Sequence, residues 1–235
     1  MPDAWRLAVG TLTAVPVRAP GEVTTRTARS AMLLAPLAVL PLGLLVAAVV
    51  WLGGLVSLPP LAVAVVAVGL LAAGSRALHW DGLSDVVDGL TASYDRERSL
   101  SVMKSGTSGP AGTVALVVVL LLQTAALAAY VGTWRGALLA GALVCLSRCA
   151  LWIVCCTRVP AARPDGLGLV YTRTVPVPVA VAGGVLLSLV GGLVVWLLVR
   201  RTTSRFGGVT GDVMGAAIEL ALAATLLTWS WVSWL

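Results

Sequence analysis

The sequence predicts an all-α, polytopic integral membrane helical bundle of about six to seven membrane segments, one of them re-entrant or a short hairpin, with an N-terminal interfacial helix. Three observations carry this. Of the 235 residues, 59% are hydrophobic and mean hydropathy is +0.98. Only 11% are charged, against about a quarter in a soluble domain, so lipid rather than water contacts much of the surface. The apolar runs persist for about 20 residues without the polar alternation of a transmembrane barrel, and in such a run only a helix satisfies its own backbone. Collagen-like and disordered readings fail, because the 25 Gly and 12 Pro have no triplet period and long Leu, Val and Ala runs dominate. Residues 1–235 read as a single integral membrane catalytic domain.

In chain order, Trp5, Val9, Leu12 and Val15 recur at helical spacing, while Thr11, Thr13, Pro16, Arg18 and Pro20 prevent a crossing. This is the pattern of a helix lying in the interface. A signal peptide is the competing reading, but the apolar region is weak and no small-residue cleavage site stands out. Spans follow over 31–52, 61–79, 111–131, 137–157 and 213–235, each near the ~20 residues that a bilayer requires. Trp229, Trp231 and Trp234 suit an aromatic belt at the end of the last. Three connecting segments are basic: 80–110 with Arg96, Arg98 and Lys104, 158–174 with Arg158, Arg163 and Arg173, and 200–212 with Arg200, Arg201 and Arg205. The positive-inside rule places all three, and the N-terminus, in the cytoplasm. A single crossing over 176–199 would separate two of them, so the glycine pairs Gly183–Gly184 and Gly191–Gly192 predict a tight or re-entrant hairpin there.

The net charge of +6 is dispersed among the connecting segments. It suits anionic headgroups of a lipid bilayer or a phosphorylated substrate; no basic stripe interleaved with aromatics points to nucleic acid. Cys145, Cys149, Cys155 and Cys156 lie in an apolar run without a nearby histidine, so they read as packing residues rather than a zinc site or disulfide framework. The abundant Gly and Ala permit close helix packing within one chain or between chains, so an oligomer is compatible.

Five of the ten acids fall within residues 81–97. In His79-Trp-Asp-Gly-Leu-Ser-Asp-Val-Val-Asp-Gly-Leu90, helical spacing places Asp81, Asp85 and Asp88 on one face. Stacked carboxylates at a membrane boundary call for a cation, and hard oxygen donors select Mg²⁺, Ca²⁺ or Mn²⁺; the bland alternative is a solvated acidic helix end. His79 falls on another face, where it could orient a carboxylate, touch substrate or serve structure. A second constellation, Gly207-Gly-Val-Thr-Gly-Asp212 followed by Met-Gly-Ala-Ala-Ile-Glu219, puts Asp212 and Glu219 on one face, with Gly215 and Ala216 leaving room for another helix. Gly207, Gly208 and Gly211 offer a seat for a phosphate at a helix N-terminus; a capped glycine-rich turn is the alternative. Lys104, in the small-residue turn Met103–Gly112, supplies a point charge for a phosphate although no P-loop is present. Arg76 and Arg148, near or within apolar runs, require a carboxylate or phosphate partner, or snorkel to the headgroups. Clustered carboxylates, a divalent cation and basic side chains suit phosphoryl-type transfer to a substrate hydroxyl. Asp212 or Glu219 is the expected proton acceptor, and the metal set is Asp81, Asp85, Asp88 and Asp212.

These residues resemble the cobalamin synthase family, the adenosylcobinamide-GDP ribazoletransferases. The resemblance rests on His79–Leu90, Arg98–Gly112, Arg163-Pro-Asp-Gly-Leu-Gly168 and Gly207–Glu219, with Leu12–Val17 and Pro36–Gly43 also similar. It implies a Mg²⁺-dependent, multi-pass enzyme of the inner or plasma membrane whose site faces the cytoplasm. Its substrates would be adenosylcobinamide-GDP and α-ribazole or α-ribazole 5′-phosphate, and its products adenosylcobalamin, or its phosphate, and GMP. The family usually has an aspartate where this chain has Ser105, and a serine where it has Gly106, so no acid acts at position 105. A CDP-alcohol phosphotransferase-like enzyme is the nearest alternative, matching at Asp85-Val-Val-Asp88-Gly89 but lacking the Ala-Arg pair that follows. A cation-coupled transporter ranks below both, because these acids sit at span ends rather than mid-span.

Overall fold

The computed structural model describes residues 2–230. Among them the regular elements are all helical. Helix α1 (Pro2–Leu12) packs on α2 (Thr25–Ala38) through Ala4, Ala8, Val9 and Leu12. The expected amphipathic helix is present, but Trp5 turns outward and Val15 lies beyond its end, because small alanines allow the closer approach to α2. Thr24 caps α2 by accepting from the Thr27 amide at 3.2 Å. Helix α3 (Leu40–Leu55) continues α2 after a step at Val39, flanked by Pro36 and Pro41, each lacking the amide a regular helix would use.

Helix α4 (Pro60–Gly74) and α5 (Leu78–Ala92) meet at 89°. Arg76 and Ala77 make the break with φ of 57° and 53°, a left-handed backbone that non-glycine residues rarely adopt. The span expected over 61–79 therefore stops at Gly74, and His79 begins the second arm with the aspartates. Helix α6 (Arg96–Met103) is capped by Asp95, which accepts from the Arg98 amide at 2.8 Å. Then come α7 (Pro110–Ala128) and α8 (Trp134–Leu146), which runs through a 3₁₀ turn into α9 (Ala150–Val154). After α10 (Leu167–Tyr171) come α11 (Val177–Leu186), α12 (Val190–Phe206) and α13 (Gly211–Trp229).

Four stretches are long and apolar enough to cross a membrane: Thr25–Leu55, Pro110–Ala128, Trp134–Val154 and Gly211–Trp229. The bent pair α4–α5 makes a fifth if counted as one span. Trp229 closes α13; Trp231 and Trp234, the rest of the expected aromatic belt, lie outside the described residues. Where backbones cross closely only glycine fits. A Cβ on Gly43 would stand 2.6 Å from the Gly141 carbonyl oxygen, and one on Gly141 2.5 Å from that of Gly43, which joins α3 to α8 as small residues do in membrane bundles.

The hairpin expected over 176–199 is present as α11 and α12. Ten residues of α11 extend about 15 Å, half of the ~30 Å hydrocarbon core. The chain reverses at Ser188 and Leu189, and Gly192 packs on Gly184, where a Cβ would lie 2.5 Å from the carbonyl oxygen. Both ends return to one short segment, since Cys156 bridges Val175 and Ala161 bridges Val209. The three basic segments accordingly interlock at one end of the bundle. Arg96 donates to the carbonyls of Phe206 at 2.7 Å and Ala162 at 2.8 Å, Arg163 to that of Leu100 at 2.8 Å, and Arg205 to that of Ser93.

Candidate active site

Helices α5 and α13 touch backbone to backbone. A Cβ on Gly82 would lie 2.6 Å from the Asp212 carbonyl oxygen, and one on Gly215 2.9 Å from the His79 Cα. This close approach sets Asp81 and Asp85 beside Asp212. Two cavities meet at Gly211 and Asp212. One, of about 150 Å³, is lined also by Thr11, His79, Asp81 and Tyr171 among apolar side chains; there the Tyr171 hydroxyl and Thr11 Oγ1 lie 3.0 Å apart. The other, of about 200 Å³, is lined by Lys104, Arg163, Asp165, Gly166 and Thr210. Thr210 caps α13, accepting from the Val213 amide at 3.4 Å and donating to Asp212 Oδ2 at 3.0 Å. Asp212 thus stands between a cavity of hydroxyls and imidazole and a cleft of cations.

The three aspartates of α5 do not share one fate. Asp81 is exposed and Asp85 half-buried. The negative charges of Asp81, Asp212 and Asp88 all act on Asp85, opposed by Arg163, and Asp212 feels Arg163 and Asp81 in turn. Asp88, only 6% exposed, accepts from the backbone amides of Gly109 at 2.7 Å and Gly112 at 2.8 Å. It supplies an anion to the start of α7, whose N-cap Gly109 has no side chain to offer. A Cβ on Gly109 would stand 2.5 Å from Asp88 Oδ1 and one on Gly112 would overlap Oδ2. Asp81, Asp85 and Asp212 fit a divalent cation by donor chemistry and by crowded like charge. Among the described residues no three His, Cys, Asp or Glu side chains converge on one metal position. The expected fourth ligand, Asp88, is already committed to two amides.

Glu219, two turns further along α13, lies in a separate buried cluster. Its Oε2 accepts from Gln123 Nε2 at 2.8 Å, and its Oε1 stands 3.4 Å from His79 Nδ1. Arg148 is fully buried; its Nη1 donates to the Val144 carbonyl at 2.9 Å and to Ser147 Oγ at 2.8 Å. The Glu219 charge acts on it, and its Nε and Nη2 have no hydrogen-bond partner among the described residues. Arg148 therefore lines neither cavity at Asp212, and Glu219 reaches the site only through His79. Arg76 is also drawn elsewhere: its Nη2 donates to the Gly10 carbonyl at 2.9 Å, tying α1 to the α4–α5 bend. Of the three glycines expected to seat a phosphate, Gly211 lines both cavities. Gly207 instead lies under the Arg96 guanidinium and Gly208 against the backbone of Pro160 to Ala162.

Sequence reasoning missed Arg163, Thr11, Tyr171, Thr210 and Gln123 as site residues. Arg163 opens the Arg163–Gly168 motif and could have been found there. Thr11 and Tyr171 are 160 residues apart and carry no joint signal.

Fold and site together define a polytopic membrane enzyme whose carboxylates and cations converge at one end of a helical bundle. The family model for cobalamin-5-phosphate synthase matches residues 4–230, and the chain belongs to that family. It is 74% identical over 230 residues to the adenosylcobinamide-GDP ribazoletransferase of a Nocardioides species, covering 98% of this chain and 99% of that one. It is 38% identical over 257 residues to the enzyme of that name from Frankia casuarinae, with 94% and 92% covered. The counterpart in Pseudomonas paraeruginosa is 39% identical over 234 residues, with 92% and 93% covered. No solved structure matches the chain.

Proposed function

We propose that this chain is an adenosylcobinamide-GDP ribazoletransferase, joining adenosylcobinamide-GDP to α-ribazole or its 5′-phosphate with release of GMP. The observation that carries the reading, beside the family match, is the meeting of the two cavities at Asp212. A ribose hydroxyl enters on the side of Thr11, His79 and Tyr171. The pyrophosphate lies on the side of Lys104 and Arg163. The hydroxyl oxygen bonds to the phosphorus that carries the cobinamide, the bridging P–O bond breaks, and GMP departs with the electron pair. His79, backed at Nδ1 by Glu219 3.4 Å away, takes the hydroxyl proton. Lys104 and Arg163 neutralise charge on the phosphates, Arg163 through a guanidinium suited to paired oxygens.

Mg²⁺ is the proposed cofactor, and Asp81, Asp85 and Asp212 are the residues that would hold it. It would supply further neutralisation of phosphate charge and fix the pyrophosphate. The site opens to the cytoplasm in a cell membrane, inner or plasma. This placement is supported by the interlocking of all three basic segments at the end of the bundle where the carboxylates lie. No feature of the site favours the CDP-alcohol phosphotransferase-like or transporter alternatives. The decisive assay follows GMP release from adenosylcobinamide-GDP, α-ribazole and Mg²⁺ by purified protein in liposomes. Absence of GMP under conditions that support a relative overturns the proposal.

A further inference from the structure

On the far side of Arg163 from Asp212 lies another cavity, of about 410 Å³, lined by Arg96, Arg163, Leu169, Thr172 and Arg173 with backbone of residues 160–164. Three arginines and, among the described residues, no acidic residue line it. Arg96 is fixed by its bonds to the Phe206 and Ala162 carbonyls, so its guanidinium is a rigid plate with one terminal nitrogen to spare. Arg163 gives Nη2 to the Leu100 carbonyl and keeps a buried Nε without a hydrogen-bond partner among the described residues. Arg173 takes part in none of the ion pairs among the described residues. Its φ of 59° is a conformation that costs a residue with a Cβ about 1–2 kcal/mol. Strain of this kind, held by surrounding structure, clusters at ligand clamps.

We infer that this cavity is the subsite for the nucleoside monophosphate that leaves in the reaction, and that Arg173 is a binding residue in it. The inference rests on the ribazoletransferase reading. Because Arg163 lines both this cavity and the Asp212 cleft, a pyrophosphate with its reacting phosphorus beside Asp212 places its second phosphate, and the nucleoside attached, among the three arginines. Guanidinium groups suit that ligand twice over: they bind phosphate oxygens in pairs and stack on planar rings. The volume falls within the ~300–1,000 Å³ of small-molecule sites, and Leu169, half exposed, gives the base an apolar wall. When the P–O bond breaks, the negative charge of the departing phosphate stays among guanidinium groups.

The test uses full-length protein in phosphatidylcholine nanodiscs, with GMP as the probe, and measures both GMP binding by calorimetry and turnover. Arg173→Gly removes the guanidinium and relaxes the backbone; Leu169→Trp fills the cavity from a half-exposed position. Each is expected to weaken GMP binding about tenfold or more, the scale of a charge-assisted phosphate bond. Each should also raise KM for adenosylcobinamide-GDP by a similar factor while leaving KM for α-ribazole unchanged. Inorganic phosphate at equal concentration, and phosphatidylglycerol added to the nanodiscs, should displace GMP poorly. Equal displacement by either would make this a general anion or lipid-headgroup site and overturn the assignment. No GMP binding by the parent protein, or binding that both variants retain, overturns it too, with the reaction reading intact if turnover persists. Arg173-dependent GMP binding without turnover preserves the subsite and defeats the reaction reading.

Discussion

Asp212 and Glu219 occupy one helix, seven residues apart, yet they sit in opposite environments. Around Asp212 the carboxylates outnumber the cations acting on them, two cavities open, and Asp81 is exposed to solvent. Around Glu219 a glutamine amide, an imidazole and the charge of a fully buried arginine surround one carboxylate. The boundary group has capacity left for a ligand, whereas the interior group spends its capacity on protein. A carboxylate on one helical face therefore borders two open cavities at Asp212 and meets only protein groups at Glu219. His79 is the bridge, lining the Asp212 cavity through its ring while its Nδ1 faces Glu219.

The largest expected effect comes from breaking the boundary side. Asp212→Asn should lower GMP release by about a hundredfold or more, the scale of removing one group on which charge stabilisation at the reacting phosphorus depends. The unfolding midpoint should stay within a degree or so, because a polar isostere keeps the Thr210 contact. Undiminished turnover would end the assignment of Asp212 to the reaction. Arg148→Met acts on the interior side and should do the reverse. It removes the charge that acts on the buried Glu219 carboxylate and the bonds to the Val144 carbonyl and Ser147 Oγ, and leaving buried polar groups unpaired costs about 1–3 kcal/mol. Thermal unfolding in detergent would report it, while turnover per folded molecule falls far less than in Asp212→Asn. Should Arg148→Met abolish turnover in fully folded protein, the separation of the two regions collapses.

Asp88 stands between these extremes. It belongs to the acidic helix by sequence but serves the scaffold by contact. Gly112→Ala would press a methyl group onto its carboxylate, and such overpacking costs about 1–3 kcal/mol. The expected readout is a lowered unfolding midpoint with a smaller loss of turnover, because the start of α7 shifts relative to α5. An Asp88 that ligates metal would instead show a raised Mg²⁺ requirement at unchanged stability.

Much of this was legible in composition and spacing. The apolar runs predicted the spans, and the conflict between three basic segments and an odd crossing predicted the α11–α12 hairpin, because positive charge and glycine pairs are local signals. The aspartates of α5 were legible as a shared face. What was not legible depends on partners distant in sequence: Asp88 meets amides 21 and 24 residues away, so its face on α5 says nothing of its bonding. The break at Arg76–Ala77 was hidden as well, since neither residue is a turn former and the surrounding packing imposes their left-handed backbone. Arg163 could have been ranked with Lys104, but its place between two cavities follows from α6, α10 and α13 converging, which no local pattern records.

The smallest expected effect sharpens the comparison most. Lys104 and Asp165 pair at 3.6 Å with side chains 58% and 67% exposed, and exposed pairs contribute about 0–1 kcal/mol to stability. Lys104→Gln should therefore leave unfolding almost unchanged. Yet Lys104 lines the cleft that holds Asp212 and Arg163, so the same substitution should raise KM for adenosylcobinamide-GDP severalfold and leave kcat nearly constant, the signature of lost binding shared by ground and transition states. Higher salt should erase part of the difference between parent and variant, because screening weakens exposed charge. If Lys104→Gln instead lowered stability and spared KM, the cation would belong to the scaffold as Arg148 does. The cleft beside Asp212 would then lose its point charge for phosphate, leaving Arg163 alone to meet the pyrophosphate.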